Sequence, residues 1–446
     1  MYLLAIVAAL AGLLFGYDTG IISGAMLFLK KTFLMTTTEL GVVVSAVPFG
    51  ALVAAAFCGR LNDVLGRKRI LFITALLYFI GSITSALSPN VEVLIASRLI
   101  LGFAVGLGSY SAPVYIAEIA KQENRGALVT LNQLAITVGI MLSYLVDYIF
   151  ASQGQWRYML GCGFIPALIL LICIFSLPES PRWLVTKGKI ARAKEILGAI
   201  HGDDSKQEFN QIKSVVSQEP LTYRQLINLG FMRVLLLGIA VSIFTQAVGI
   251  NAIIYYAPTI FQTAGLTKAT SLILATAGIG MVNVLFTLVA VRYLDRLGRR
   301  KMLLFGLGGI LFSLAVATTA FAHTAVSIEL AWAIMASFVI FIASQAIGTG
   351  PACWLIPSEI FPTEARGLGM GLAVAFNWAT NVIVAFFFPI TLTHLGPSIT
   401  FGIFLAIACV AFIVFFLFVP ETKGVSLEQI EKNIEAGKPL RQLGDA

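Results

Sequence analysis

The composition of the chain excludes an ordinary soluble protein. Of its 446 residues, 58% are hydrophobic and only 12% are charged, whereas a soluble globular protein carries about 25% charged residues. The formal net charge of +8 could suit a nucleic-acid partner, but the cations occupy polar segments between long apolar ones. The sequence therefore predicts a membrane protein that does not bind nucleic acid.

Apolar stretches of about 20 residues follow one another along the chain, and each can cross a hydrocarbon core roughly 30 Å thick. They predict an all-α membrane protein with twelve transmembrane helices. The first stretch has no basic region and no small-residue cleavage site, so we expect a retained helix rather than a signal peptide. In chain order the helices are predicted at residues 2–29, 40–59, 70–88, 91–118, 126–149, 157–177, 231–262, 270–293, 301–322, 326–358, 367–392 and 396–419.

Basic residues concentrate on one predicted side of the membrane. They gather in GRKR (66–69), in RLGRRK (296–301) and in the connection at 178–233, whereas the opposite loops carry few cations. An excess of Lys and Arg marks the cytoplasmic side. We therefore expect a multi-pass protein of the cell membrane (plasma or inner) with both termini in the cytoplasm.

The chain contains an internal repeat with an offset of about 230–240 residues. Repetition on this scale predicts two pseudo-symmetric six-helix halves. Three motifs recur in the same order: GRLNDVLGRKRILF (59–72) as VRYLDRLGRRKMLLF (291–305), AEIAKQENRG (117–126) as SEIFPTEARG (358–367), and PESPRWL (178–184) as PETKGVSL (420–427).

The repeat also predicts the domain organisation. The halves are expected at residues 1–177 and 231–419, joined by a cytoplasmic linker at 178–230 and followed by a cytoplasmic tail at 420–446. Within the linker, IARAKEILGAI (190–200) and KQEFNQIKSVV (206–216) have the apolar spacing of short amphipathic helices.

The repeated motifs place acids and bases at matched positions. One Gly-Arg-Lys cluster could be no more than a positive-inside anchor, but two copies with matched acids favour a specific role. We predict charge pairs between helix ends at the cytoplasmic face, which tie the two halves together in one conformation and break when the halves move. The residues are Asp63, Arg67, Glu118 and Arg125 in the first half and Asp295, Arg299, Glu359 and Arg366 in the second.

The sequence predicts neither a cofactor nor a metal site. Its five cysteines lie singly in apolar segments, and its three histidines are too few and too dispersed for a metal centre. The acids and bases lie at helix ends or within membrane segments, without a nucleophile and base arranged for catalysis. We therefore expect no enzymatic activity.

Five motifs carry a resemblance to a known family. They are GRLNDVLGRKR, PESPRWL, QAVGINAIIYYAP, GPACWLIPSEIFPTEARG and PETKG, within a match that runs from about residue 10 to 427. The chain resembles the sugar porter family of the major facilitator superfamily, which includes the GLUT facilitators and bacterial and plant sugar–proton symporters. The resemblance implies a twelve-helix major facilitator fold. It also implies that a monosaccharide binds near mid-membrane between the halves, with access alternating between the two sides.

Polar side chains within the apolar helices are candidate sugar ligands. Amides donate and accept hydrogen bonds, and Trp offers a flat ring with one N–H donor, so these groups suit a sugar. An isolated amide more often joins neighbouring helices, but the match to sugar-contacting positions of the family favours binding at the amides. The candidates are Gln133, Gln246, Asn251, Asn283, Trp354, Asn377, Trp378 and Asn381.

Local sequence adds three expectations about this site. Asn377 and Asn381 are four residues apart, so one helical face presents both amides. Gly249, in TQAVGIN, predicts a helix that bends or breaks beside a cavity. Thr245 stands where many relatives have the first of two adjacent glutamines, so the sugar preference is expected to differ from the commonest pattern.

Asp18 lies inside the first predicted helix, in LLFGYDTGIISG (13–24). A charged Asp at a helix centre costs about 2.5–3.5 kcal/mol on insertion scales, so it is expected to have a partner or a function. The natural partner is Arg98 of the fourth helix, because both residues lie roughly 16 and 10 Å below the same side of the membrane.

Two roles for the pair remain open from the residues alone. A permanent ion pair would only lock the fold, whereas a proton carrier would release Arg98 when Asp18 is protonated. The resemblance favours the carrier, because proton-coupled sugar porters carry an acid here and the facilitators matching this motif commonly carry a neutral residue.

The sequence thus predicts a proton-coupled importer of a monosaccharide, either a hexose (glucose first) or a pentose, that works as a monomer by alternating access. The nearest alternative is a proton-independent sugar uniporter. A transporter-like sugar sensor is a second alternative, but such a receptor is expected to carry a long cytoplasmic tail, and only KGVSLEQIEKNIEAGKPLRQLGDA follows Thr422.

Overall fold

The structure of the chain is a computed structural model that describes residues 2–121, 125–202, 205–216, 231–323, 327–362 and 366–445. Over these residues the chain is helical, without a β-strand. The helices of the N-terminal part are α1 (Tyr2–Thr32), α2 (Thr37–Leu65), α3 (Arg67–Ala86), α4 (Val91–Ile119), α5 (Arg125–Ala151), α6 (Trp156–Gly161), α7 (Phe164–Cys173), α8 (Pro181–Thr186), α9 (Ile190–His201) and α10 (Ser205–Val216).

The C-terminal part continues in the same way. Its helices are α11 (Met232–Ala247), α12 (Ile250–Thr263), α13 (Ala269–Leu297), α14 (Arg299–Ala320), α15 (Ile328–Ile347), α16 (Thr349–Ile360), α17 (Arg366–His394), α18 (Gly396–Phe418) and α19 (Leu427–Glu435). Short 3-10 turns follow α7 at Ile174–Ser176 and α19 at Leu440–Gln442.

Twelve spans in the described residues are long and apolar enough to cross a membrane. They confirm the twelve predicted segments. Three of these segments are not single helices, however: the sixth span is α6 plus α7, the seventh is α11 plus α12, and the tenth is α15 plus α16. Only the break in the seventh span was predicted.

A proline follows closely after each of the two breaks that the sequence prediction missed. A proline has no N–H to donate to the carbonyl four residues before it, and it disfavours helical geometry at the preceding residue. Pro351 therefore cannot bond to the carbonyl of Ile347, where α15 ends. Pro166 likewise cannot bond to the carbonyl of Cys162, between α6 and α7.

The chain divides into two compact units whose boundaries cut through individual helices. The first unit contains residues 1–21, 49–143 and 157–220. Glycines on α1 let α5 approach closely within it, since a Cβ added at Gly16 would lie 1.9 Å from the carbonyl oxygen of Ile136. Small residues at such crossings are what allows membrane helices to pack against each other.

The predicted amphipathic helices of the linker are present as α9 and α10. The preceding helix, α8, begins at Pro181, and the Ser180 hydroxyl caps it by accepting a hydrogen bond from the N–H of Trp183. The three helices share a small apolar core formed by Trp183, Leu184, Val185, Ala193 and Ile196, with Phe209 and Ile212 packed against it.

The second unit contains residues 22–48, 144–156 and 221–446. It combines the C-terminal spans with the end of α1, the beginning of α2 and the end of α5. These parts, residues 22–48 and 144–156, are here called the distal segments. The Tyr144 hydroxyl donates a hydrogen bond to the Ile254 carbonyl on α12 at 3.1 Å. The compact units therefore differ from the segments 1–177 and 231–419 predicted from the repeat, because the distal segments pack with the C-terminal spans.

Candidate functional site

An ion pair joins α1 to α4 inside the first unit. Arg98 Nη1 donates a hydrogen bond to Asp18 Oδ1 at 2.8 Å, so the predicted contact is present. Asp18 is 2% exposed and Arg98 is 1% exposed. Not all polar atoms of the two side chains form hydrogen bonds: Asp18 Oδ2 and Arg98 Nε are buried without a hydrogen-bond partner.

With this geometry, the stability of the ion pair depends on the charge of the Asp18 carboxyl group. A buried ion pair loses the hydration of both charges, and additional hydrogen bonds normally satisfy the remaining atoms. Here Asp18 Oδ2 lacks such a bond. Protonation of the carboxyl would therefore remove most of the electrostatic attraction that holds Arg98 beside it. In this structure the carboxylate and the guanidinium are in contact.

Three of the predicted amides form a hydrogen-bonded chain in the second unit. Asn251 Nδ2 donates to Gln246 Oε1 at 2.9 Å, and Gln246 Nε2 donates to Asn377 Oδ1 at 3.1 Å. Asn377 Nδ2 continues the chain to the Ser242 carbonyl at 3.2 Å. Because each of these hydrogen bonds contributes only about 1 kcal/mol net, ligand hydroxyls can exchange with them at small cost.

The two asparagines of α17 face the same neighbouring span, as their spacing predicted. Asn381, one turn after Asn377, donates from Nδ2 to the Tyr255 hydroxyl on α12 at 3.3 Å. Its Oδ1 is buried and has no hydrogen-bond partner. One acceptor thus remains available next to the amide chain.

The other predicted sugar ligands lie apart from this chain of hydrogen bonds. Asn283 on α13 and Trp378 on α17 are buried, whereas Trp354 on α16 is half-buried. Gln133 is half-buried on α5 in the first unit. The structure therefore joins Gln246, Asn251 and Asn377 by hydrogen bonds and places Asn381 one turn further along α17, bonded to Tyr255. The described hydrogen bonds do not extend that group to the remaining four candidates.

Gly249 breaks the seventh span and so brings two of these amides together. Its φ of +96° lies in the left-handed region, which residues with a Cβ avoid. A Cβ at this position would also lie 3.1 Å from the Phe404 ring. The break leaves Gln246 at the end of α11 and Asn251 at the start of α12, where their side chains meet.

Thr245 shares an acceptor with the end of the amide chain, because the Ser242 carbonyl also accepts a hydrogen bond from Asn377 Nδ2. Its hydroxyl donates to the Ser242 carbonyl within α11 at 3.1 Å, and the residue is 2% exposed. At this pair of positions the site therefore presents the single amide of Gln246.

Gln345 and Asp147 are among the buried polar residues that the sequence prediction did not single out. Gln345, near the end of α15, is buried and accepts a hydrogen bond from the Thr349 hydroxyl across the break in the tenth span. Asp147, near the end of α5, is completely buried. The rule that drew attention to Asp18, a strongly polar group inside an apolar stretch, would have found both.

A cluster of charges lies at the start of α3 in the first unit. Arg67 Nη2 donates to Glu118 Oε1 at 3.0 Å, and Arg67 Nη1 lies 3.3 Å from Asp63 Oδ1. Glu118 Oε2 accepts a hydrogen bond from the Ser180 hydroxyl at 2.6 Å. The N–H of Lys68 donates to Glu179 Oε1 at 3.1 Å, which adds the PESPRWL motif to the cluster.

The second unit repeats this cluster at the start of α14. Arg299 Nη2 lies 2.9 Å from Glu359 Oε1, and Glu359 Oε2 accepts a hydrogen bond from the Thr422 hydroxyl. The N–H of Arg299 donates to Glu421 Oε1 at 2.9 Å. Thr422 and Glu421 thus stand where Ser180 and Glu179 stand in the first cluster.

The glycine that precedes each arginine has the same conformation in both copies. Gly66 has φ 93° and ψ 158°, and Gly298 has φ 94° and ψ 156°. A Cβ at either position would approach a carboxylate oxygen, of Glu179 or of Glu421, to 2.4 Å. The repeated sequence motif is therefore a repeated structure, which we call the Gly-Arg-Glu cluster.

The described ion pairs of these clusters each join residues of the same half, and the predicted connection between the halves stays a prediction. Asp63, Arg67 and Glu118 pair within the N-terminal half, and Arg299 and Glu359 pair within the C-terminal half. Arg366 donates to the Phe361 carbonyl at 3.3 Å. The side chains of Arg125 and Asp295 lie outside the part of the chain that is described.

Comparison with known proteins identifies the family. Residues 4–434 match the family described as sugar (and other) transporters. The chain belongs to the sugar porter family of the major facilitator superfamily.

Relatives of this family match over nearly the whole chain. The glucose transporter GlcP of Staphylococcus epidermidis is 41% identical over 432 residues, covering 96% of each protein. The galactose-proton symporter of Escherichia coli is 40% identical over 440 residues, covering 98% of this chain and 95% of the relative. Among solved structures, the partially occluded inward open conformation of the E. coli xylose transporter XylE is 32% identical with a TM-score of 0.83, covering 95% of this chain and 99% of that chain.

Family membership establishes the class of the protein. It is a sugar transporter and not an enzyme. The twelve spans and the bacterial relatives together make it a multi-pass protein of the plasma membrane.

Proposed function

We propose that this sugar porter imports a monosaccharide together with a proton by alternating access, with both termini in the cytoplasm. The buried ion pair of Asp18 and Arg98 is the observation that carries the proposal. The relative named a galactose-proton symporter supports proton coupling as a class of activity.

The coupling step begins with the ionised pair. A proton on Asp18 removes the attraction for Arg98, so α1 and α4 are then free to change their relative position. Deprotonation on the other side of the membrane restores the pair and resets the transporter. One charge moving through 100 mV supplies about 2.3 kcal/mol, which corresponds to about 50-fold accumulation of sugar.

The amides of the second unit are the proposed core of the sugar site. Gln246, Asn251 and Asn377 exchange hydrogen bonds among themselves for bonds to sugar hydroxyls, and Asn381 offers a free acceptor. Further contacts are proposed for Gln133 and Asn283 on the basis of their match to the family pattern, and for Trp354 and Trp378 because their rings offer a flat face and an N–H donor.

The two Gly-Arg-Glu clusters hold the helix ends of their own halves in place. Because each arginine is shared among residues of different helices, a movement of those ends must break a charged hydrogen bond. We propose that the clusters set the energy difference between the two access states from within each half.

Glucose is the first sugar to test, followed by galactose, xylose and arabinose. Relatives named for glucose and galactose transport are similarly close in sequence. Competition of each unlabelled sugar against labelled glucose in counterflow exchange ranks them. Failure of every monosaccharide to compete would contradict the proposal.

The decisive variant is Asp18→Asn, compared with wild type in sealed liposomes. Wild type should accumulate sugar under an imposed proton gradient, whereas the variant should lose accumulation and keep counterflow exchange. Glu195→Gln is the matched control, because it removes an acid that is 65% exposed on α9. It should accumulate sugar like wild type.

A uniporter is the alternative that this experiment separates. If wild type exchanges sugar but never accumulates it under the gradient, the pair of Asp18 and Arg98 only locks the fold and the protein equilibrates sugar. Equal accumulation by wild type and Asp18→Asn would leave symport in place but remove Asp18 from it.

A further inference from the structure

A second acid, Asp147, is buried in the membrane region and has no role in the mechanism above. It lies on α5 in a distal segment and is 0% exposed. Its Oδ2 accepts a hydrogen bond from the Gly24 N–H of α1 at 3.0 Å, while its Oδ1 has no hydrogen-bond partner. The fit is tight, because a Cβ on Gly24 would come within 2.4 Å of Oδ2.

No opposite charge compensates this carboxyl group. In the described part of the chain no Lys, Arg or His forms an ion pair with it. The titratable group facing it is Tyr144 on its own helix, and Tyr144 in turn faces Tyr255 of α12. At its contact with α1 it accepts a hydrogen bond from the backbone of Gly24.

The contrast with Asp18 determines the charge state. Asp18 has Arg98 as a counter-ion, so it can remain ionised in a dry interior. A carboxylate at Asp147 would have one backbone N–H as its only compensation, and an unpaired buried charge is far more costly than a neutral acid. The neutral, protonated form is therefore the one that fits this conformation.

The burial of Asp147 depends on the packing of the distal segments. One turn earlier on α5, the Tyr144 hydroxyl bonds to the Ile254 carbonyl of α12. On α1, Thr259 of α12 contacts Met26, two residues after Gly24. Separation of the distal segments from α12 would admit water to this region and allow the acid to ionise.

We propose that Asp147 is a second proton-binding residue, which gains a proton when the distal segments close on α12 and loses it when they separate. Closing converts the carboxylate and one proton from water into a neutral carboxylic acid, and opening reverses this. Because the closed state binds one proton more, acid favours the closed state by up to about tenfold per pH unit. The inference rests on the alternating access proposed above.

Infrared spectroscopy of the full-length protein in liposomes tests the protonation directly. A buried protonated carboxyl gives a carbonyl band that shifts in deuterated water. We expect this band in wild type and in Asp18→Asn and its loss in Asp147→Asn, with Asp147→Ala as a second variant. The same band in wild type and in both Asp147 variants would overturn the proposal, as would the absence of any such band in wild type.

Transport provides a second readout that a structural role alone would not change. Wild-type counterflow should vary with pH, because opening at the distal side releases a proton from Asp147. Asp147→Asn resembles the neutral acid, so it should keep counterflow and lose the part of the pH dependence due to this residue. An unchanged pH profile in an active variant would contradict the inference.

The two proposals fail in distinguishable ways. If wild type never accumulates sugar under a proton gradient, symport fails, while the infrared band at Asp147 is unaffected. If accumulation depends on Asp18 but no band belongs to Asp147, symport stands and the second proton site is rejected.

Discussion

The two halves of the chain are more alike at their Gly-Arg-Glu clusters than in the interiors of their helices. At the clusters, Gly66 and Gly298 share one backbone conformation, and Arg67 and Arg299 each bind the matched glutamate, Glu118 or Glu359. The interiors differ in chemistry: the first unit buries a charge pair, whereas the second buries a chain of neutral amides. The two repeats thus share the structure of their helix ends, and their interiors differ in the polar groups that they bury.

The difference follows from what each ligand requires. A proton needs a single group that changes charge, and its environment must keep water out so that the change has a large energetic effect. A sugar needs several donors and acceptors whose net hydrogen-bond energies are small enough for release. Amides meet the second requirement and a buried carboxylate meets the first.

Removal of the counter-ion should give the largest effect. Arg98→Met leaves Asp18 as an unpaired buried acid, so the free energy of unfolding should fall by about 3–5 kcal/mol. The double variant Asp18→Asn with Arg98→Met should recover most of this loss. Thermal and denaturant unfolding in detergent measure both, and equal losses in the single and double variants would show that the charge is not the cause.

The broken span should respond strongly to a single methyl group. Gly249→Ala forces a Cβ into the left-handed region and against Phe404, so it should cost at least about 1–2 kcal/mol of stability. Gly278→Ala on α13 is the control, because a Cβ there meets nothing within 4 Å. It should be neutral or stabilising by up to about 1 kcal/mol, and similar losses in both variants would contradict the special role of the break.

Disruption of the amide chain should weaken sugar binding without affecting proton coupling. Gln246→Ala and Asn377→Ala should each reduce sugar affinity by about fivefold, which corresponds to one net hydrogen bond of about 1 kcal/mol. Because Gln246 and Asn377 share a hydrogen bond, the loss of affinity in the double variant should be smaller than the product of the two single losses. Asn210→Ala, an exposed amide on α10, is the control for equilibrium binding measurements.

The repeated clusters predict matched, smaller effects. Arg67→Ala and Arg299→Ala should each destabilise the protein by about 1 kcal/mol, and the losses should add within about 0.5 kcal/mol because the residues share no partner. Arg192→Ala, which breaks an exposed pair with Glu195, should cost no more than about 0.5 kcal/mol. Clearly unequal losses in the two halves would mean that the clusters have diverged in function as well.

The sequence predicted the parts of this molecule that depend on hydropathy and repetition. The twelve spans follow from apolar length, and the matched motifs identified the charged residues that form the pairs of Arg67 with Glu118 and of Arg299 with Glu359. The contact of Asp18 with Arg98 was predictable because both residues are charged and lie at similar depth.

Three-dimensional packing decided the features that were missed. The sequence did not indicate which acid pairs with which arginine, since spacing alone does not specify the partner. Nor did it indicate that the distal segments pack with the C-terminal spans, which places Tyr144 against α12. Asp147 and Pro351 were visible in the sequence, and the rules for intramembrane acids and for helix-breaking proline apply to them.

The most direct test of the central claim is proton movement caused by sugar. Sugar added to weakly buffered, de-energised membrane vesicles containing the wild-type protein should make the external medium alkaline, because each sugar enters with a proton. Asp18→Asn should take up sugar under the same conditions without that change. Sugar entry through wild type with no change in external pH would contradict proton-coupled import.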